Sequence, residues 1–149
     1  MMEMNVERHK IDNFLREYPG HQFPPVRKLS DEECSSIKAG LMQQFGYTGS
    51  IEGLLDIFWR DENRCGNVEK EGVSFIRNLL NKNTKEHSVF IDWCKFDDID
   101  EIAIDDFIRY FDDIWYPGAD DIDVFDRSYS WVMRVSHWAD IFVTRPEQR

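Results

Sequence analysis

The sequence has few cysteines, and their spacing fits neither a zinc site nor a disulfide framework. Three cysteines occur among 149 residues. They are Cys34, Cys65 and Cys94, and no two of them form a C-x-x-C pair. An odd number of widely spaced thiols is typical of reduced cysteines in a reducing compartment. We therefore expect a cytoplasmic protein without structural disulfides.

Long apolar runs are also missing. No stretch approaches the roughly eighteen apolar residues that a transmembrane helix requires. Residues 1–16 carry several charged side chains and lack the apolar run of a secretory signal peptide. The sequence therefore predicts a soluble, intracellular protein.

The common motifs of hydrolytic catalysis are absent. The four histidines are scattered, and none forms an H-E-x-x-H motif or an i, i+4 pair on a helix. No serine lies in a G-x-S-x-G motif, which places the nucleophile of many hydrolases on a sharp turn. We therefore predict no catalytic residue and no cofactor.

Two clusters of carboxylates, at residues 97–101 and 120–123, lack the pattern of a calcium-binding loop. Neither follows D-x-D-x-D-G with a glutamate at the twelfth position, and neither contains a glycine for the turn. We therefore predict no metal site. The alternative is a small metal-dependent hydrolase in which carboxylates such as Asp92 and Asp97 hold a divalent ion and Lys95 lies beside it.

Basic residues are nearly absent from residues 92–126, a stretch called the acidic segment below. It contains thirteen aspartates and glutamates but only two basic residues, Lys95 and Arg109. Because the net charge of the whole chain is −11, the remaining residues are neutral overall. A localised negative charge attracts a basic partner and repels nucleic acids and anionic lipids. The sequence therefore predicts a recognition surface for a basic protein, without direct nucleic-acid or membrane binding.

The acidic segment is too rich in aromatic residues to be a disordered tail. Hydrophobic residues make up 42% of the chain and aromatic residues 14%, whereas disordered acidic regions contain few rings. A chain of this length is long enough for one sizeable core and short for two. We therefore predict a single domain over residues 1–149 that includes the acidic segment.

Apolar periodicity and capping residues predict a mixture of helices and strands. Ser30 and Glu33 form a capping-box pattern, and Gly46 fits a helix C-cap. Residues 62–67 are predicted to form a loop. The expected fold is α+β, with N-terminal helices packed on a C-terminal antiparallel meander. The predicted helices span residues 6–17, 30–46, 68–81 and 105–115. The predicted strands span residues 88–93, 121–125, 131–135 and 141–143. The short apolar run at residues 51–59 fits either a buried strand or a short helix, and we favour the strand.

Residues 112–126 have the sequence DDIWYPGADDIDVFD, and Ser128, Trp131 and the pair Ser136-His137 follow them. This pattern resembles one found in small acidic bacterial immunity proteins of polymorphic and contact-dependent toxin systems. It covers about a sixth of the chain, and it often continues as His-x-Gly, where residues 137–139 here are His-Trp-Ala. The resemblance implies an inhibitor of a cognate toxin without catalytic activity of its own.

The sequence thus predicts a non-enzymatic binding protein that neutralises a basic partner, most simply a cognate nuclease toxin. Carboxylates that cover a basic, phosphate-binding cleft gain steered association and charge-assisted hydrogen bonds. A DNA mimic or an adaptor with an acidic face is a further alternative. We expect the partner-binding residues to converge on one surface. They are Asp97, Asp98, Asp100, Asp105, Asp112, Asp113, Tyr116, Asp120, Asp121, Asp123 and Trp138.

Overall fold

The computed structural model describes residues 4–147, which contain a seven-stranded antiparallel sheet. The strands are β1 (Val26–Lys28), β2 (Arg64–Asn67), β3 (Ser88–Asp92), β4 (Ile99–Ala103), β5 (Ile122–Phe125), β6 (Val132–Val135) and β7 (Asp140–Thr144). Their order across the sheet is β1-β4-β3-β5-β6-β7-β2. The predicted C-terminal meander is therefore present as β5, β6 and β7, and strands from the first two thirds of the chain extend it on both sides.

Seven helices accompany the sheet in the described residues. They are α1 (Arg8–Glu17), α2 (Asp31–Gln44), α3 (Ile51–Ile57), α4 (Val68–Glu71), α5 (Val73–Asn83), α6 (Ile104–Arg109) and α7 (Phe111–Ile114). The predicted α+β class is confirmed. Among residues 4–147, no helix combines the length and the apolar composition that crossing a membrane requires.

Helices cover both faces of the sheet. Successive residues of a strand point to opposite sides, so one strand contributes to the core on each face. On the first face, Val89 and Ile91 of β3 belong to a core that also contains residues of α1, α5, α6 and α7. On the second face, Phe90 belongs to a separate core with residues of α2 and α3. All four residues of β5 and of β6 are buried. The middle of the sheet is therefore shielded from solvent on both sides.

The prediction of a strand at residues 51–59 is wrong, because this segment contains helix α3. Its apolar residues follow a helical spacing, and Leu54 and Phe58 are completely buried in the second core. A short, dense apolar run satisfies either a buried strand or a short helix, so periodicity alone does not distinguish them. The helix is favoured because it packs Leu54 and Phe58 together against the second face of the sheet.

Two predicted helices are each divided in two. The helix expected at residues 68–81 is interrupted at Gly72, whose φ of 80° ends α4 before α5 begins. The helix expected at residues 105–115 is interrupted at Tyr110, between α6 and α7. Both halves of the second pair still bury one apolar stripe, since Phe107, Phe111 and Ile114 are at most 1% exposed.

Strands β1 and β4 were not predicted, and the loop predicted at residues 62–67 contains β2. Strand β4 has two acidic residues among five, a composition that strands usually avoid. Strands β1 and β2 form the edges of the sheet. The first has three residues, and the second has four, with a shift of register between Arg64 and Gly66.

Three turns lie at the same end of the sheet, called the upper end below. Asp92 of β3 pairs with Ile99 and with Asp123, and Val135 of β6 pairs with Ile122 and with Ile141. The connections at residues 93–98, 115–121 and 136–139 therefore emerge side by side along this end. These connections contain most of the predicted partner-binding residues.

Candidate partner-binding surface

Asp123 is buried, with only 4% of its surface exposed, so its prediction as a partner-binding residue is wrong. It lies on the second face of the sheet, opposite Arg134 on the neighbouring strand β6. The guanidinium of Arg134 donates two hydrogen bonds of 2.8 Å to the two oxygens of Asp123. It also stacks on the ring of Trp59, 4.4 Å from the ring centroid. Asp123 thus balances a buried cation beneath α3.

Asp120 is also buried, and its prediction as a partner-binding residue is likewise wrong. Its carboxylate accepts hydrogen bonds from Nζ of Lys10 and from the backbone N–H of Tyr116, both at 2.7 Å. Lys10 is only 1% exposed, and its ammonium lies 4.4 Å from the ring centroid of Trp93. A lysine is rarely buried to this extent unless it is paired. Asp120 therefore binds helix α1 to the connection at residues 115–121.

The third buried carboxylate of the predicted set is Asp100, which has no exposed surface. It accepts hydrogen bonds from the backbone and side-chain nitrogens of Asn5 and from Nε1 of Trp93. Burial raises the pKa of Asp100, and these hydrogen bonds offset part of that effect. Asp100 orders the chain ahead of α1 and is not available to a partner.

Two further carboxylates of the acidic segment are buried without having been predicted as site residues. Burial and the nearby carboxylate of Asp123 raise the pKa of Asp92 to about 8. Asp126 accepts hydrogen bonds from Thr84 and Ser128, which outweigh its burial and lower its pKa. Five of the thirteen acidic side chains of the segment are therefore buried within the fold.

The exposed carboxylates of the predicted set do not form one surface. Asp97 and Asp98 lie in the turn between β3 and β4, where Asp97 accepts a hydrogen bond from Lys38 of α2 on the second face. Asp105 lies in the first turn of α6 at the opposite end of the sheet, two residues after Ala103, which pairs with Ser88. Only Asp112, Asp113 and Asp121 lie on or beside the segment that runs from α7 to the upper end.

Helix α1 links α7 to the upper end through three residues spaced four apart, which share one side of the helix. His9 packs edge-on against the ring of Tyr116, with 5.7 Å between centroids. Asn13 donates a 3.0 Å hydrogen bond to the hydroxyl of Tyr116. Glu17 lies beside Asp113 and, together with partial burial, raises the pKa of Asp113 to about 6. A line of contacts therefore connects the carboxylates of α7 with Tyr116.

The connections at residues 115–121 and 136–139 are joined by hydrogen bonds at the upper end. The N–H of Gly118 donates to the carbonyl of His137 at 2.7 Å. Asp121 accepts a 2.8 Å hydrogen bond from the backbone N–H of His137, and its Oδ1 lies 2.9 Å from Nδ1 of the same residue. The structure therefore brings Asp121 and Tyr116 close to the turn that contains Trp138.

Trp138 is the most exposed large hydrophobic residue in the described part of the chain, with 72% of its surface accessible. The turn that contains it is well ordered by hydrogen bonds. Oγ of Ser136 accepts from the N–H of Trp138 at 3.3 Å and from the N–H of Asp140 at 3.2 Å. Ala139 adopts a φ of 70° and is completely buried. The indole is therefore held outward by a fixed backbone, beside the ring of His137 at 4.4 Å.

These residues define the Trp138 surface, which comprises Glu17, Asp112, Asp113, Tyr116, Asp121, His137 and Trp138. Sequence reasoning identified five of them and missed Glu17 and His137 as members. No feature of the sequence marked Glu17 as a surface member, because its contact with α7 depends on how α1 packs. The surface offers carboxylates and aromatic rings, which suit cationic side chains. Within residues 4–147, no three histidine, cysteine or acidic side chains are placed to hold a metal ion together.

Comparison of the chain with protein-family models, with curated proteins and with solved structures gave no match.

Proposed function

We propose that this protein is a non-enzymatic binding protein that neutralises a basic protein partner through the Trp138 surface. The observation that supports this most directly is an exposed tryptophan fixed on a hydrogen-bonded turn beside carboxylates. A large exposed ring gains nothing for folding, whereas tryptophan is enriched among the residues that dominate binding energies at interfaces. Its anionic surroundings favour a cationic partner.

The carboxylates of α7 support the same proposal. Asp112 is exposed, and Asp113 lies next to Glu17 without a lysine or arginine partner among residues 4–147. Two neighbouring carboxylates repel each other, and a cation from a partner would relieve this repulsion. Such charges also accelerate the encounter with a basic protein at low salt.

We further propose that the partner is a cognate toxin domain and that the protein acts in the cytoplasm. The stretch that resembles immunity proteins, residues 112–137, begins in α7 and ends at His137, so it contributes most of the Trp138 surface. All three cysteines are free thiols, as is usual in a reducing compartment. A protein that only covers a toxin needs no catalytic group.

The proposal predicts a toxin domain encoded beside the gene for this protein, and the test uses that domain. Both proteins are purified, and their affinity and association rate are measured by biolayer interferometry at two salt concentrations. Trp138→Ala should weaken the affinity about thirtyfold or more, as expected for a central aromatic contact. The pair Asp112→Asn and Asp113→Asn should mainly slow association and reduce its dependence on salt.

The matched control replaces two other carboxylates of the acidic segment, Asp105 and Asp106, with asparagine. This pair changes the net charge by the same amount but lies at the opposite end of the sheet. Equal effects of the two pairs would show that only net charge matters and would contradict a defined surface. If the wild-type protein neither binds the toxin nor protects cells that express it, the proposed function is wrong.

A further inference from the structure

Cations in this protein repeatedly bind to a carboxylate and an aromatic ring at the same time. The ammonium of Lys10 contacts Asp120 at 2.7 Å and lies 4.4 Å from the ring centroid of Trp93. Arg127 pairs with Glu101 at 2.6 Å and lies 4.9 Å from the ring centroid of Phe90. In each case the carboxylate supplies charge and direction while the ring covers the flat or apolar side of the cation.

Arg134 shows the fullest form of this arrangement. Its guanidinium forms a bidentate pair with Asp123 and stacks on Trp59 at 4.4 Å. The planar guanidinium suits both contacts, because it donates parallel hydrogen bonds in its plane and stacks through its face. An indole with a nearby carboxylate is therefore an arginine site in the interior of this fold.

The Trp138 surface presents the same two groups to solvent. Asp121 and Trp138 flank His137, which contacts Oδ1 of Asp121 at 2.9 Å and the indole at 4.4 Å. No lysine or arginine of residues 4–147 lies over the ring of Trp138 or pairs with Asp121. The indole remains 72% exposed, so the imidazole leaves most of its surface open.

We propose that Trp138 and Asp121 bind an arginine side chain of the partner protein, with the guanidinium stacked on the open side of the indole and paired with the carboxylate. This inference rests on the proposed function for the source of the arginine, and it specifies the chemistry at the centre of that surface. His137 acts as a positioning residue, since its two hydrogen bonds to Asp121 hold the carboxylate against the turn that contains Trp138.

The site can be tested without the partner by using a short peptide as the probe. The peptide Ac-Gly-Arg-Gly-NH₂ is titrated into the full chain while the indole N–H resonances are followed by NMR, with Trp138→Phe used to assign the signal of Trp138. The control peptide contains citrulline, which has the same shape as arginine without its charge. We expect a saturable shift at Trp138 with the arginine peptide and a shift at least fivefold smaller with the citrulline peptide.

Trp59 provides an internal control, since it is 39% exposed but its ring already stacks on Arg134. Its resonance should not shift. Asp121→Asn should weaken binding of the arginine peptide about fivefold, whereas Asp98→Asn, in a different turn of the upper end, should leave it unchanged. Equal shifts with both peptides, or no effect of Asp121→Asn, would overturn the inference.

The two proposals fail in distinguishable ways. Binding of the arginine peptide by a protein that does not bind the toxin would support the arginine site and refute the proposed partner. Conversely, tight toxin binding that is unaffected by Asp121→Asn, together with no peptide-induced shift at Trp138, would support the proposed function and refute the arginine site.

Discussion

Asp92 should make this protein less stable as the pH rises from about 4 to about 8. Its carboxyl group is 2% exposed on the second face of the sheet, directly opposite Asp123 on the neighbouring strand. Arg134 pairs with the carboxylate of Asp123. Burial, together with the nearby carboxylate of Asp123, raises the pKa of Asp92 to about 8.

The direction of the effect follows from the protons bound in each state. In the unfolded chain the pKa of Asp92 is close to 3.8, so between about pH 4 and pH 8 the folded protein holds a proton that the unfolded chain has released. Raising the pH in this window favours the unfolded state by up to about 1.4 kcal/mol per pH unit. From pH 5 to pH 7.5 the limit is about 3 kcal/mol, and above pH 8 the effect levels off.

The substitution Asp92→Asn isolates this contribution. The amide oxygen can still accept the hydrogen bond from the N–H of Cys94, and its NH₂ group can donate to the carboxylate of Asp123. Urea unfolding at pH 5.0 and pH 7.5 gives the free energy of unfolding of both proteins. The wild type should lose about 2–3 kcal/mol more than Asp92→Asn between the two values.

Asp105→Asn is the control, since Asp105 is exposed and lies at the opposite end of the sheet from Asp92. Its pH dependence should match that of the wild type. Asp113, with a pKa of about 6, changes stability in the same direction, but it contributes equally to all three proteins. Parallel pH profiles for the wild type and Asp92→Asn would show that Asp92 is already ionised in the folded state and would refute the reasoning.

Two further substitutions test the packing on each face. Lys10→Met should lower the free energy of unfolding by about 3 kcal/mol, because it leaves Asp120 buried without its cation. The double variant with Asp120→Asn should recover part of this loss. Fully additive effects of the two substitutions in urea unfolding would contradict the pairing. Gly40→Ala should lower the stability by about 1–2 kcal/mol, because a Cβ there would lie 2.5 Å from the ring of Tyr129. Adding Tyr129→Leu should remove that penalty, and a stabilising Gly40→Ala, measured by thermal unfolding, would show that the ring yields freely.

Local sequence signals predicted several elements well. The capping box of Ser30 and Glu33 is formed at the start of α2, and the meander at residues 121–143 follows from its alternating apolar residues. Elements that depend on contacts with distant parts of the chain were predicted less well. Strand β4 has acidic residues because Asp100 and Glu101 bind groups from elsewhere in the chain, and no local propensity reports such contacts.

The distribution of charge along the sequence was a poor guide to the position of the acidic side chains in the fold. A run of carboxylates in one segment does not imply a patch in space, since successive strand residues point in opposite directions. Asp120 meets Lys10 across 110 positions of sequence, and Asp100 meets Asn5 across 95. These distant partners of the buried acids thus come from outside the acidic segment. In contrast, the exposure of Trp138 agrees with its position in a turn, although Asp120, in a neighbouring connection, is buried.

The short edges of the sheet restrict how a partner can approach. Strand β1 offers three residues, and β2 offers four that are broken by an irregular register. Proteins that capture extended peptides usually do so by adding a strand to a long, regular sheet margin. Neither edge strand of this sheet is long enough to pair with an added peptide strand. The short edges also protect the molecule from edge-to-edge association with a second copy. Recognition is thereby left to side chains displayed on rigid turns, where a single residue can be exchanged to change the partner without disturbing the scaffold.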